Sequence, residues 1–452
     1  MNRKKIILAA CAALMANGLW AEPVANVTLP ERLAISFWIW GLYDTEPGGA
    51  YHDYDARMKE LVDRGFNCVR IDDAAGLLTT AEGKAREQIA LREPFGKFTG
   101  DLRQNVVTTP RTCRPRERLL ELFRAADRQG VKVILSTWYY LHTNWFLDES
   151  VNGPLNEGMP VERKFAYFAD ELDRILTLLR ENGLDHRIAY AELFNEFDGL
   201  PFTARYGHID DLAKAAHLRD LHERAIARLK AAHPGVKFAY DIARFPIQRE
   251  LVPRNADVLA IHPYYLWGVY MDVFEKDSVR GTTKEIPIAP EAARYLVDKP
   301  YSIADVVATR GGNLRTGNDW NARVRLYASL DDAKIPALEQ ALETALRRDR
   351  AKYEKILADV VADAVAVRNE LLPTAALVMS EGVTYCASNR LLFEERSDLY
   401  WEILRGQSKL LRANGFWGAI PRTTCGPEDP SWGPRAKDYR AINDLFTKGE
   451  TK

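Results

Sequence analysis

Tyr190–Phe197 reads Y-A-E-L-F-N-E-F, a mostly apolar, extended run that stops on adjacent Asn195 and Glu196. Long amphipathic stretches flank it, Phe165 to Arg180 before and Asp210 to Ala232 after. A mostly apolar strand set between amphipathic helices, with adjacent polar residues at its end, is the unit of a parallel sheet with crossover helices. In such a sheet the carboxyl end of the strand is where a polar side chain meets both solvent and ligands.

Working outward, the same unit recurs along the chain. The expected strands are Ile35 to Trp40, Cys68 to Asp72, Val131 to Tyr140, Ile188 to Asn195, Lys237 to Ile242, Val258 to Tyr264, Ala376 to Ser380 and Phe416 to Pro421. Helical patterns lie between them, with turn residues as punctuation: Asp53 is a candidate N-cap, and Gly65, Gly130 and Gly183 stop the first helices. A short helix is expected after Pro246, and Ile335 to Leu372 is long enough for one helix or two. Eight strand–helix pairs predict an α/β fold, a (β/α)8 TIM barrel, with residues 22–452 as one domain. Ala74 to Arg114 and Trp267 to about Lys334 are too long for simple connections, so both are expected as walls or lids on the C-terminal face, the second as a lid-like insertion.

Bulk properties narrow the function classes. The chain has 452 residues, 62 basic and 63 acidic side chains and a net charge of -1, so no overall field attracts nucleic acid. Arg3, Lys4 and Lys5, the apolar run Ile6 to Met15 and the small residues Ala16, Gly18 and Ala21 have the layout of a signal peptide over 1–21, giving a secreted or periplasmic protein. Leu8 to Cys11 also fits a lipoprotein signal, with few apolar residues ahead of Cys11. No later stretch is long and apolar enough for a membrane span. Cys68, Cys113, Cys386 and Cys425 lack Cys-x-x-Cys spacing, which argues against structural zinc. In an exported chain a Cys386–Cys425 disulfide is the preferred pairing, since both follow neighbouring strands.

Context decides which polar residues carry chemistry. The Asn-Glu pair occurs three times, at 156–157, 195–196 and 369–370, and only Asn195 and Glu196 end an apolar strand. Leu377–Gly382, L-V-M-S-E-G, places Glu381 at the end of the seventh strand, where a carboxylate without a partner would be costly. Strands four and seven face each other across a barrel, so Glu196 and Glu381 can flank one bond: one protonates a leaving oxygen, the other attacks or stabilises the carbon it leaves. Ile261–Tyr265, I-H-P-Y-Y, gives His262 and Tyr264 the same side-chain parity, towards the cavity beside Glu381. A tyrosine donating to that carboxylate would keep it ionised.

These motifs resemble the clan of retaining glycoside hydrolases that includes the family 5 cellulases and mannanases. The resemblance rests on Asn195 with Glu196, His262 with Tyr264, Glu381, Arg70 on strand two and Trp417 on strand eight. It implies that Glu196 is the acid/base and Glu381 the nucleophile, that Asn195 binds a sugar 2-hydroxyl, and that Arg70 and Tyr264 brace the nucleophile. The chain departs from the family in Phe197, where proline or valine is usual, and in Trp138, where histidine often ends strand three; His142 lies just beyond. A divergent, cellulase-like branch is therefore expected, a monomer cleaving a β-linked carbohydrate with no metal or other cofactor. Trp138, Trp267 and Trp417, at strand termini, are the expected sugar-stacking residues. Three rivals stand beside this reading. A sugar-binding barrel without catalysis would bind undiminished with Glu381→Gln, a transglycosylase would use the same site with a sugar acceptor, and a metal-dependent hydrolase lacks a three-ligand cluster at the strand ends.

Overall fold

A computed structural model describes residues 31–450, apart from 40, 73–77, 81–83, 92–95, 102, 104–110, 138–158, 204–206, 280–284, 310–317 and 385. The signal-peptide segment, Trp40, Trp138 and His142 lie outside the described residues. Residues 31–452 form one compact unit.

Eight parallel strands close on themselves. We label them β1 (Leu33–Trp38), β2 (Cys68–Asp72), β3 (Lys132–Ser136), β4 (Ile188–Glu192), β5 (Phe238–Ile242), β6 (Val258–Ile261), β7 (Ala376–Met379) and β8 (Gly418–Ala419). Each pairs with its sequence neighbours, and β8 returns to β1 through Leu33 opposite Gly418 and Ala34 opposite Ala419. The chain is therefore a (β/α)8 barrel, as the alternation of patterns predicts. Strands β1, β5, β6 and β7 are buried at every position, because helices cover one face and the barrel interior the other. Each apolar side chain so enclosed contributes roughly 1.5–3 kcal/mol.

The helical layer follows local rules. Helix α1 (Tyr54–Asp63) begins on Asp53, whose carboxylate accepts from the Ala56 N–H at 2.9 Å. Helix α2 (Pro115–Gln129) ends at Gly130, with φ 72°, a left-handed position that suits glycine. Helices α3 (Val161–Glu181), α4 (Leu212–Ala232), α5 (Ile335–Leu371), α6 (Asp398–Ala413) and α7 (Ala436–Thr447) complete the layer. The stretch read as one helix or two is a single helix of 37 residues, α5. The short helix expected after Pro246 is a single 3-10 turn, Arg249–Leu251. None of the helices among the described residues is long and apolar enough to cross a membrane.

Both long segments carry structure of their own. After β2, Ile89–Leu91 pairs antiparallel with Arg111–Cys113, and a 3-10 turn covers Gly96–Asp101. After β6 come Trp267–Tyr270, Met271–Glu275, Pro290–Ala293, Ile303–Thr309 and Asn318–Ala328 in succession. The expected Cys386–Cys425 disulfide does not form: all four described cysteines are free and buried. The Cys386 thiol points at the Ser388 and Leu391 carbonyls, whereas the Cys425 thiol lies 3.4 Å from the Phe37 N–H on β1. Neighbouring strands bring the two loops close without turning the sulfurs towards each other.

Candidate active site

The C-terminal half of the barrel interior is filled by charge. Arg70 on β2 is fully buried and binds four groups: Glu381 Oε2 at 2.9 Å, Glu192 Oε2 at 2.8 Å, Ser136 Oγ at 2.8 Å and Asn195 Oδ1 at 2.5 Å. Its position in the middle of an apolar strand is tolerable only because these acceptors replace its water. Glu381 lies two residues beyond β7 and is 3% exposed, and Glu196 lies beyond β4 and is 6% exposed. Tyr264 donates to the second oxygen of Glu381 at 2.5 Å.

The backbone at these residues is itself unusual. Glu196 and Tyr264 have φ of 45° and 42°, left-handed values that side chains other than glycine and asparagine seldom adopt. Such strain persists where surrounding contacts fix the chain, and the Glu196 N–H is fixed by Asp241 Oδ1 at 2.6 Å. Gly382 turns the chain directly after Glu381 with φ 107°; a Cβ there would lie 2.7 Å from Pro263 Cδ.

His262, fully buried just past β6, connects the two carboxylates. Its Nδ1 is 3.1 Å from Glu196 Oε1 and 3.9 Å from Glu381 Oε2, while Nε2 is 2.9 Å from Asp241 Oδ2 and 3.0 Å from Ser380 Oγ. Nε2 faces the Asp241 carboxylate and donates to it, and the Glu196 and Glu381 oxygens beside Nδ1 favour the imidazolium form of the ring. Burial alone would lower its pKa, but Asp241 and Glu381, with the bonds to Asp241 and Glu196, raise it well above the usual histidine range. Burial would likewise raise Asp241, yet the imidazolium and Arg70 outweigh it and hold Asp241 below its ordinary value. Burial raises Glu381 despite the opposing pull of His262, Arg70 and the Tyr264 bond, and Glu196 pushes it the same way. Burial also raises Glu192, one of whose oxygens has no hydrogen-bond partner among the described residues.

Six residues singled out from sequence meet here: Arg70, Asn195, Glu196, His262, Tyr264 and Glu381. Trp267 stands at the edge, half-buried, its ring 6.1 Å from that of Tyr264. Trp417 does not join them. It precedes β8 rather than following it, is 3% exposed, donates through Nε1 to the Glu31 carbonyl and packs against Tyr190, so it fills the barrel floor. Trp138 lies outside the described residues.

Four participants were not expected: Ser136, Glu192, Asp241 and Ser380. Each is inward-facing on, or just beyond, its strand, and the available signal was an acidic residue inside an otherwise apolar run, F-A-Y-D-I for Asp241. Asp198, two residues beyond Glu196, accepts from the Ala243 and Arg244 N–H groups at 3.0 and 2.7 Å and ties the Glu196 turn to the β5 loop. Burial pushes its carboxyl up to about 6 against those two bonds.

Contrary to the expectation that the strand ends lack a three-ligand cluster, Glu196, His262 and Glu381 each offer a ligand atom, all within 4.8 Å of one another, because the barrel brings together residues far apart in sequence. A metal would need the neutral ring of His262, whereas the carboxylates around it favour the imidazolium, and Arg70 already neutralises charge at Glu381. The arrangement suits one carboxyl acting as proton donor beside a second held ionised more than it suits cation binding.

Comparison with known proteins bears on the family and the fold. The family profile described as sugar-binding cellulase-like matches residues 34–279. Among solved structures, a candidate glycoside hydrolase from Parabacteroides distasonis superposes with a TM-score of 0.62 at 16% identity, covering 94% of this chain and 95% of that one. A broad-specificity endoglucanase from Bacteroides salanitronis gives 0.45 at 12% identity over 92% and 93% of the two chains. A family 5 mannosidase from Rhizomucor miehei gives 0.43 at 10% over 94% and 95%. At these identities the likeness is one of fold. No curated protein matches in sequence.

Proposed function

The chain belongs to the sugar-binding cellulase-like family, and from that premise we propose that it is a retaining glycoside hydrolase acting on a β-linked oligo- or polysaccharide. One observation carries the reading: oxygens of Glu196 and Glu381 approach within 4.8 Å across the barrel. Retaining enzymes hold their carboxyl groups about 5–5.5 Å apart, and inverting ones about 6.5–9.5 Å apart, to admit a water between them.

In this reaction Glu381, oriented by Arg70 and Tyr264, attacks the anomeric carbon as the glycosidic bond breaks, forming a glycosyl ester. Glu196 gives its proton to the departing oxygen. His262 bonds Glu196 Oε1, so the transferred proton is the one carried on Oε2, and the new carboxylate is stabilised by the imidazolium as it forms. Glu196 then takes a proton from water, which attacks the anomeric carbon, restores its configuration and frees Glu381. The basic residues and apolar run of the first 15 positions support export, which would bring the enzyme to an extracellular or periplasmic glycan.

The test is anomeric outcome. The full chain is incubated with aryl β-glycosides and with β-glucan, mannan and xylan oligosaccharides, and fresh product is observed by proton NMR. The β-anomer should appear first, with the α-anomer following by mutarotation; α first would exclude retention. Glu381→Gly with azide should yield the α-glycosyl azide, and its absence on an active aryl substrate would remove Glu381 from the role of nucleophile.

A further inference from the structure

The two long insertions leave β2 and β6, which stand across the ring from each other, yet their described parts are joined. Phe98 of the first lies in one buried cluster with Val306 and Val324 of the second. The Phe98 ring meets that of Tyr301 edge-on at 4.8 Å, and Lys97 covers both rings at 4.9 and 4.8 Å. The intervening loops fill the arc between them. Arg103 of the first insertion is buried and donates to both oxygens of Glu395, at 2.6 and 3.2 Å, in the segment after β7. Arg390, also after β7, donates to the Tyr327 and Leu330 carbonyls of the second insertion at 2.9 and 3.2 Å. Arg422, after β8, is fully buried against Glu394 and Glu395, and Arg111 pairs with Asp44 of the β1 loop at 3.1 Å.

These contacts make one wall along the rim from β6 through β7, β8 and β1 to β2. The Arg103–Glu395, Arg422–Glu394 and Arg422–Glu395 pairs in it are buried, so parting those segments would strand uncompensated charges. Glu381 belongs to the walled half of the rim, and Glu196, beyond β4, to the other. The wall reaches the site through Trp267, whose indole N–H is held by Glu275 at 2.9 Å and whose ring is covered by Arg323 at 4.8 Å. The nucleophile bonds the anomeric carbon of the glycone, whereas the acid/base group serves the leaving oxygen, so the glycone occupies the walled half.

We infer that the joined insertions close the glycone end of the cleft, so that the enzyme removes short units from the non-reducing ends of chains and does not cut internally. The inference rests on the hydrolase reading. An open groove would let a chain pass both carboxylates, whereas here the chain ends against Trp267 and the wall behind it.

The experiment uses the full chain on carboxymethylcellulose, galactomannan and arabinoxylan, and on the matching oligosaccharides with and without a 4,6-benzylidene or equivalent block at the non-reducing end. The expected result is release of one short product from the earliest times, little fall in viscosity per reducing end, and at least 100-fold slower cleavage of the blocked oligosaccharide. A rapid viscosity fall, or equal cleavage of blocked and free oligosaccharides, overturns the inference and leaves the hydrolase reading intact; no cleavage of any substrate overturns both. Phe98→Asp should part the seam and raise the ratio of viscosity loss to new reducing ends at least tenfold. Val324→Ala, a milder opening of the same cluster, should raise it in the same direction, and an unchanged ratio in the folded variants removes the seam from the explanation.

Discussion

Asp241→Asn is the sharpest probe of the site, because it keeps the size of the side chain and changes one charge. Asp241 accepts from the Glu196 N–H at 2.6 Å and from His262 Nε2 at 2.9 Å, and it is a leading cause of the raised His262 pKa. An asparagine has one acceptor oxygen for these two donors, so one bond is lost and the imidazolium loses its counter-charge. A hydrogen bond to a charged group contributes about 1.5–3 kcal/mol, and about 1.4 kcal/mol is a factor of ten, so kcat should fall roughly 10- to 150-fold where protonation of the leaving group limits the rate. The assay compares a phenyl glycoside, which needs that proton, with a 2,4-dinitrophenyl glycoside, which does not. The phenyl substrate should show the full loss and the dinitrophenyl substrate only a few-fold loss, with the alkaline limb of kcat moving to lower pH. The sign follows from the cause: with a raised pKa, His262 stays charged until pH climbs through that value, and removing Asp241 lets burial bring the value down. Equal losses on both substrates, or an unmoved alkaline limb in a variant of unchanged Tm, would refute the claim that Asp241 acts through His262 on Glu196.

Further expectations concern single contacts. Tyr264→Phe removes a 2.5 Å bond to Glu381 that lowers that carboxyl's pKa, so kcat should drop roughly 10-fold or more and the acid limb of kcat/KM should move to higher pH; an unshifted limb would count against it. His222 is fully buried, neither ring nitrogen has a hydrogen-bond partner among the described residues, and burial lowers its pKa to about 3. The unfolded chain therefore takes up a proton on His222 as pH falls below about 6.5 while the folded one does not, and stability is lost progressively towards pH 3. His222→Phe should thus raise stability in urea, with a gain about 2 kcal/mol larger at pH 5 than at pH 7; a pH-independent gain would contradict the account. Since the four described cysteines are free, dithiothreitol should leave Tm unchanged, and a drop of several degrees would reveal a bridge.

Legibility from sequence followed the type of signal. The strand ends at Asn195, Glu196 and Glu381 were readable because an apolar run that stops abruptly on a polar residue fixes both the strand and the face it opens on. Asp241 was not, because an acid inside F-A-Y-D-I reads equally as a solvated edge position until His262 on the next strand is known to face it. Trp417 was misplaced for a related reason. The run Phe416 to Pro421 suggests a strand with an aromatic near its open end, but pairing begins only at Gly418, and the tryptophan falls on the opposite side of the barrel. The insertions were recognisable as walls by length alone, whereas their union depends on Phe98, Val306 and Val324, which are 200 or more residues apart in the first case and carry no shared local pattern.

The buried charges also explain why the barrel needs both Arg70 and His262. In the proposed reaction Glu381 loses its negative charge on forming the glycosyl ester, and Glu196 gains one on giving up its proton. Net charge in the interior is unchanged; one carboxylate charge passes from Glu381 to Glu196. Arg70 binds only the starting position, at 2.9 Å from Glu381, whereas His262 lies 3.9 Å from Glu381 and 3.1 Å from Glu196 and attracts the charge at either place, more strongly at the second. A fixed cation nearer the final position than the initial one stabilises the transition state relative to the ground state without reorganisation, which is the condition for electrostatic catalysis in a site that excludes water. His262 can serve this way only if its own charge does not depend on which carboxylate is ionised. Asp241, bonded to the far nitrogen and fully buried, supplies that independence.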